Sequence, residues 1–152
     1  MNRKPEKSRT GLFANGLWGK IVTEGIMIGM LTLLSFSIGN KLYGLQVGRT
    51  MAFVSLSLLE LIHGFNIKSE ESIFKAGIFD NLYLLISFIV GTILQIIVVS
   101  IKPISNVFEC TPLSSMQWLV VIGISVCCII IMELQKKINE FKFGKRIYSF
   151  ER

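Results

Sequence analysis

Four long apolar runs, at about 17–38, 47–65, 82–101 and 116–132, set the strongest limit on what these 152 residues can fold into. Each has the roughly 17 to 25 residues needed to cross about 30 Å of hydrocarbon at about 1.5 Å per residue. A soluble helical protein would have to bury all four inside itself, and so short a chain has too little interior for that. Composition agrees, with 51% of residues hydrophobic and 17% charged, against about 25% charged in ordinary soluble domains. The expected fold class is therefore all-α, an integral membrane bundle of four transmembrane helices. It occupies residues 17–134, between a basic arm at 1–16 and a basic tail at 135–152.

The charges between the runs fix an expected orientation. The arm carries Arg3, Lys4, Lys7 and Arg9 around Pro5, and Lys20 sits at the edge of the first span. With Lys68 and Lys75 in the loop 66–81 and six basic residues in the tail, 13 of the 16 Lys and Arg fall on one side, leaving Lys41, Arg49 and Lys102 on the other. Loops rich in Lys and Arg stay cytosolic, so both termini are expected there, in a multi-pass protein of the cell membrane. A cleaved signal peptide is disfavoured, because the first run exceeds the roughly 7 to 15 residues of a signal core and Lys20 and Glu24 interrupt its start. The loop 66–81 mixes charges with Ile73, Phe74, Ile78 and Phe79, as an interfacial amphipathic helix beginning near Ser69 would. The tail should prolong the last helix and lie against anionic lipid, with no nucleic acid as partner.

Within the spans, the short glycine-containing connection 39–48 makes the first two an antiparallel hairpin. Gly25 and Gly29 have the small-xxx-small spacing that lets another helix approach closely. Glu24, four residues after Lys20, reads as half of an interfacial ion pair. The third span has one strongly polar side chain, Gln95, with Gly91, Thr92 and Ser100 as packing positions. Pro103 and residues 105–115 form a loop, and Trp118 opens the last span as an interfacial aromatic.

Glu60 is the residue that points to chemistry. A carboxylic acid deep in a span costs roughly 2.5 to 3.5 kcal/mol if lipid surrounds it, so it should face protein, water or an ion. At about 100° per residue, Ser57 and His63 flank it at about 60° on either side. Thr50 and Gly64 fall on the same side, so the second helix should present one polar face. Glu60 is thus the candidate cation ligand, with Ser57 and His63 as neighbours able to orient it. One histidine excludes a multi-His centre, and adjacent Cys127 and Cys128 cannot form a C-x-x-C site. These two and Cys110 are expected as free thiols. Glu70, Glu71 and Asp80 fit no calcium-loop spacing and should face water. The sequence contains no nucleotide loop, nucleophile motif or zinc spacing.

Several stretches together resemble a known family. They are Met1-Asn2-Arg3-Lys4-Pro5 followed by Leu12-Phe13-Ala14-Asn15-Gly16; Arg49-Thr50-Met51-Ala52-Phe53; Phe65-Asn66 with Lys68-Ser69-Glu70; and Thr111-Pro112-Leu113-Ser114 before Gln117-Trp118. Their order and spacing, up to about Lys137, resemble the carboxy-terminal four-helix part of P-type cation-transporting ATPases, particularly the calcium pumps. The resemblance implies that the spans correspond to membrane helices seven to ten, which support an ion-binding core built mostly from helices four to six. It further implies that Glu60 matches the helix-eight carboxylate that helps bind calcium, and that Gly25 and Gly29 match a small-residue face packed on helix five. The sequence departs from the family in lacking the Asp-Lys-Thr-Gly-Thr phosphorylation motif, the Thr-Gly-Glu actuator loop and the first six helices.

A truncated, split or fragmentary product is therefore the leading expectation. Such a chain would bind no cofactor and show no ATPase or transport activity by itself. Its partner would be the amino-terminal part of such a pump, or an intact pump, and Ca2+ would be the ion met in the complete assembly. Two other readings share four spans and an intramembrane acid. One is an autonomous proton-coupled small exporter, although those usually carry the acid in their first helix. The other is a non-catalytic membrane scaffold or regulator of a pump.

Overall fold

The computed structural model describes residues 17–68 and 82–150, and among these the side chains at 17, 18, 20, 65, 67, 68 and 139–150 lie outside the description. The arm 1–16 and the helix expected near Ser69, with Glu70, Glu71 and Asp80, also lie outside the described residues. Five helices follow in order: α1 (Leu17–Tyr43), α2 (Leu45–Lys68), α3 (Leu82–Ser100), α4 (Lys102–Val107) and α5 (Ser115–Phe150). Four of them are long and apolar enough to cross a membrane, over Ile21–Tyr43, Leu45–Gly64, Leu82–Ser100 and Ser115–Ile138. Their free faces are apolar, with Ile26, Met30, Leu33, Tyr83, Ile93 and Leu119 all exposed. A water-soluble bundle would put such residues inside, whereas here they meet lipid.

The turn between the first two spans is tighter than the glycines suggest. Helix α1 continues through Gly39 to Tyr43, and the only break before α2 is Gly44, at φ +93°. Its N–H bonds back to Asn40 O at 3.2 Å, and Gly48 N–H bonds to Gly44 O at 3.0 Å. A glycine in the left-handed region is how many helices end, and one suffices here. Gly39 and Gly48 are not loop residues but the point where α1 and α2 cross. A Cβ on Gly39 would stand 2.7 Å from Gly48 Cα, and one on Gly48 would stand 2.7 Å from Asn40 N. At the other end of the chain, Ser114 N–H bonds to Gln117 Oε1 at 2.8 Å, half of a capping box that starts α5. That helix has 36 residues, about 54 Å at 1.5 Å per residue, so it outruns the hydrocarbon by several turns.

Helix α2 lies at the centre, packed against α1, α3 and α5, while α1 also meets α5. One core cluster joins Met27 and Ile28 to Leu59, Ile62, Cys128 and Met132; the other joins Met51, Val54 and Leu58 to Val99 and Val121. Between helices in lipid, apolar burial drives little association, so close approach and polar contacts count for more. Along α1 and α2 both occur. Ser55 Oγ donates to Ser35 Oγ at 2.7 Å, and Ser35 Oγ donates to the carbonyl of Met51 at 3.2 Å, just inside the Gly39–Gly48 crossing. Across α2 and α3 the approach is at Gly91, which abuts the side chain of Leu61.

Candidate functional site

Because α1, α3 and α5 all pack on α2, the side of α2 left open is a narrow strip. Arg49, Leu56 and Glu60 occupy it. They follow at seven and four residues, two turns and one, which keeps them in line. Directly behind that strip Leu58, Leu59 and Ile62 are buried. Glu60 therefore leaves the bundle within the membrane-crossing stretch Leu45–Gly64, away from the core of this chain.

The single polar face expected on α2 does not form. Thr50 is buried, donating to Gln46 O at 3.0 Å and accepting the N–H of Thr111 at 3.0 Å. Ser57 and Gly64 are half-buried. His63 turns toward α1, where its Nε2 lies 3.6 Å from Glu24 Oε2. Helical spacing places residues around an axis but does not say which neighbours they meet: Thr50 is taken up by Thr111 in the loop before α5, and His63 by Glu24 on α1.

Glu24 is 5% exposed, because it shares the face formed by Met27, Ile28 and Ser35 that packs inward, and the side chain of Lys20, its expected pair, lies outside the described residues. Its Oε1 accepts a hydrogen bond from Asn66 Nδ2 at 3.1 Å, and Asn66 is 2% exposed. Asn66 Oδ1 and His63 Nδ1 are buried without a hydrogen-bond partner among the described residues. Asn66 had no place in the sequence reading as a site residue. The available signal was its position three residues after His63 on a helix bound by a carboxylate from its neighbour.

Gly25 and Gly29 are exposed, and a Cβ added to either meets nothing within 4 Å. Among the described residues they meet no neighbouring helix, and the close approach falls at Gly39, Gly48 and Gly91 instead. At the far end of α2 a clasp holds the loop after α4. Arg49 pairs with Glu109 at 2.9 Å, and Phe53 and Phe108 rings stand 6.1 Å apart. All three cysteines are free. Cys110 is buried in that loop, and burial pushes its thiol up from the ordinary range against the smaller opposing effects of Thr50 and Arg49.

As a metal site the described residues are incomplete. No three of His, Cys, Asp or Glu gather among them. Calcium takes about six to eight oxygens, of which one carboxylate supplies two at most. What the geometry defines is a bundle of four membrane-spanning helices with an acid presented on an unfilled face.

The chain belongs to the family described as cation transporting ATPase, C-terminus, whose profile matches residues 1–138. It is a multi-pass membrane protein of that family. It is 33% identical to calcium-transporting ATPase 1 of Bacillus cereus over 90% of its length, and 35% identical to the calcium-transporting ATPase of Bacillus subtilis over 82%. Against calcium-transporting ATPase 1 of Lactococcus lactis it is 30% identical over 91%. It spans only 14% to 17% of the length of these relatives.

Proposed function

We propose that this chain is the carboxy-terminal four-helix part of the membrane machinery of a calcium-transporting pump, and that Glu60 becomes a ligand of the transported calcium once the remaining membrane helices cover the open face of α2. One observation carries the reading: Glu60 is exposed within the crossing stretch Leu45–Gly64, where the other polar side chains after Arg49, namely Thr50, Ser55, Ser57 and His63, are buried or partly covered. Left against lipid it would cost roughly 2.5 to 3.5 kcal/mol. A protein face bringing further oxygens removes that cost and completes the shell that Glu60 alone cannot. Gly25 and Gly29 fit the same account as a smooth strip on α1 for a helix of the partner. The relatives' names supply the cation.

In this role the 152 residues contribute support and one ligand, with phosphoryl transfer left to the amino-terminal part of the assembly. Both ends lie on the cytosolic side, as the distribution of Lys and Arg requires. The test is a pump made by joining this chain to the amino-terminal part of the B. subtilis relative. Glu60→Gln should lower apparent calcium affinity by about 10-fold or more. Unchanged affinity and stoichiometry would remove Glu60 from the site.

A further inference from the structure

Glu24 stands behind the helix that carries Glu60. His63 and Asn66, which face it across the α1–α2 interface, come three and six residues after Glu60, about 4.5 and 9 Å further along the axis. A helix held at two successive turns has its azimuth fixed at the turn before. The apolar contacts nearby, Leu59 and Ile62 against Met27 and Met132, would tolerate a small rotation, since dispersion falls off gradually and has no direction. Buried polar atoms do not: rotating α2 strips Asn66 Nδ2 of its acceptor, and Asn66 Oδ1 already lacks a donor among the described residues.

We infer that Glu24 is a positioning residue for the cation ligand: through His63 and Asn66 it sets the rotation of α2, so that Glu60 emerges on the open face. This rests on the reading of Glu60 as a calcium ligand. The geometric half can be measured without it. In the 152-residue chain in nanodiscs, with the native cysteines replaced, nitroxides at positions 33 and 60 should give one narrow distance distribution by pulsed electron resonance. Glu24→Leu should broaden it. Glu24→Gln, which keeps an oxygen for Asn66, should not.

In the joined pump, Glu24→Leu should lower apparent calcium affinity about 10-fold while maximal turnover per assembled molecule changes little, and Glu24→Gln should restore most of it. His63→Leu gives a second route if Glu24→Leu assembles poorly. On a Glu60→Gln background Glu24→Leu should add almost nothing, because it acts through the residue already removed. A distribution indifferent to Glu24, or an affinity loss that adds in full to that of Glu60→Gln, overturns the positioning role and leaves Glu60 as a ligand. A silent Glu60→Gln removes the ligand reading, while the distance measurement still decides whether Glu24 sets the rotation of α2.

Discussion

Glu24 and Glu60 have the same side chain on neighbouring helices and opposite surroundings, one 5% exposed and bonded across the interface, the other on the open strip. Replacing each with leucine in the chain alone separates the two situations. Glu24→Leu leaves buried Asn66 Nδ2 and half-buried His63 without their partner, so stability should fall by about 1–3 kcal/mol. Glu60→Leu removes an acid from the surface that faces lipid and should leave stability unchanged or raise it. Reversible unfolding in mixed micelles reads both, and an equal loss from the two would contradict their placement. Glu60 was legible in the sequence because it is the only acid in its span. The inward placing of Glu24 was not, because the interval from Lys20 matches an interfacial pair and apolar residues lie on both the buried and the exposed sides of the helix around it. Cys110 allows a check at the other end of the bundle. Burial raises its thiol, so less thiolate is present at a given pH and alkylation is slow. Its rate with a small water-soluble reagent should go on climbing with pH after that of an ordinary thiol has levelled off; a plateau at the ordinary position would show that the loop does not shelter it.

Among the helices, the glycines exchange the roles their spacing suggests. The four-residue interval of Gly25 and Gly29 is the pattern of a packing face, yet both are open, while Gly39 and Gly48, which look like turn residues, meet backbone to backbone. The existence of four long helices was readable from their apolar length alone. Which glycines touch was not, because contact depends on where α1 ends, and one residue at positive φ, Gly44, moved that end five residues beyond the expected 38. Gly39→Val should force α1 and α2 apart, since a Cβ there would lie 2.7 Å from the Cα of Gly48; the loss should be at least the roughly 1–3 kcal/mol typical of overpacking. Gly25→Ala and Gly29→Ala should be near neutral in the chain alone. Thermal unfolding of the three variants in one detergent tests the assignment, and a large loss at Gly25 with none at Gly39 would reverse it.

At the scale of the whole molecule, most of the bundle's outer surface asks only for lipid, and two features ask for something else. The outer face of α3, with Tyr83, Ile89, Ile93 and Leu94 exposed, is mainly apolar, its exposed Ser87 hydroxyl bonding back to Tyr83 O, and it needs no partner in a bilayer. Glu60 on α2 and the bare glycines on α1 are different: the one is a charge that lipid does not solvate, the other a strip without side chains that lipid tails fill poorly. A chain that covers 14% to 17% of its relatives leaves in them a large portion able to cover both. The two faces can be told apart by capture. Co-expressed with the amino-terminal part of the B. subtilis relative, the chain should co-purify with it through detergent. Gly25→Leu or Gly29→Leu should weaken that capture several-fold, because a leucine on the strip holds the incoming helix away. Ile93→Phe on the α3 face should leave it as it was, since that change meets only lipid. If capture survives the glycine changes and is lost with Ile93→Phe, the partner docks on α3, and Glu60 then faces lipid with no account of its cost.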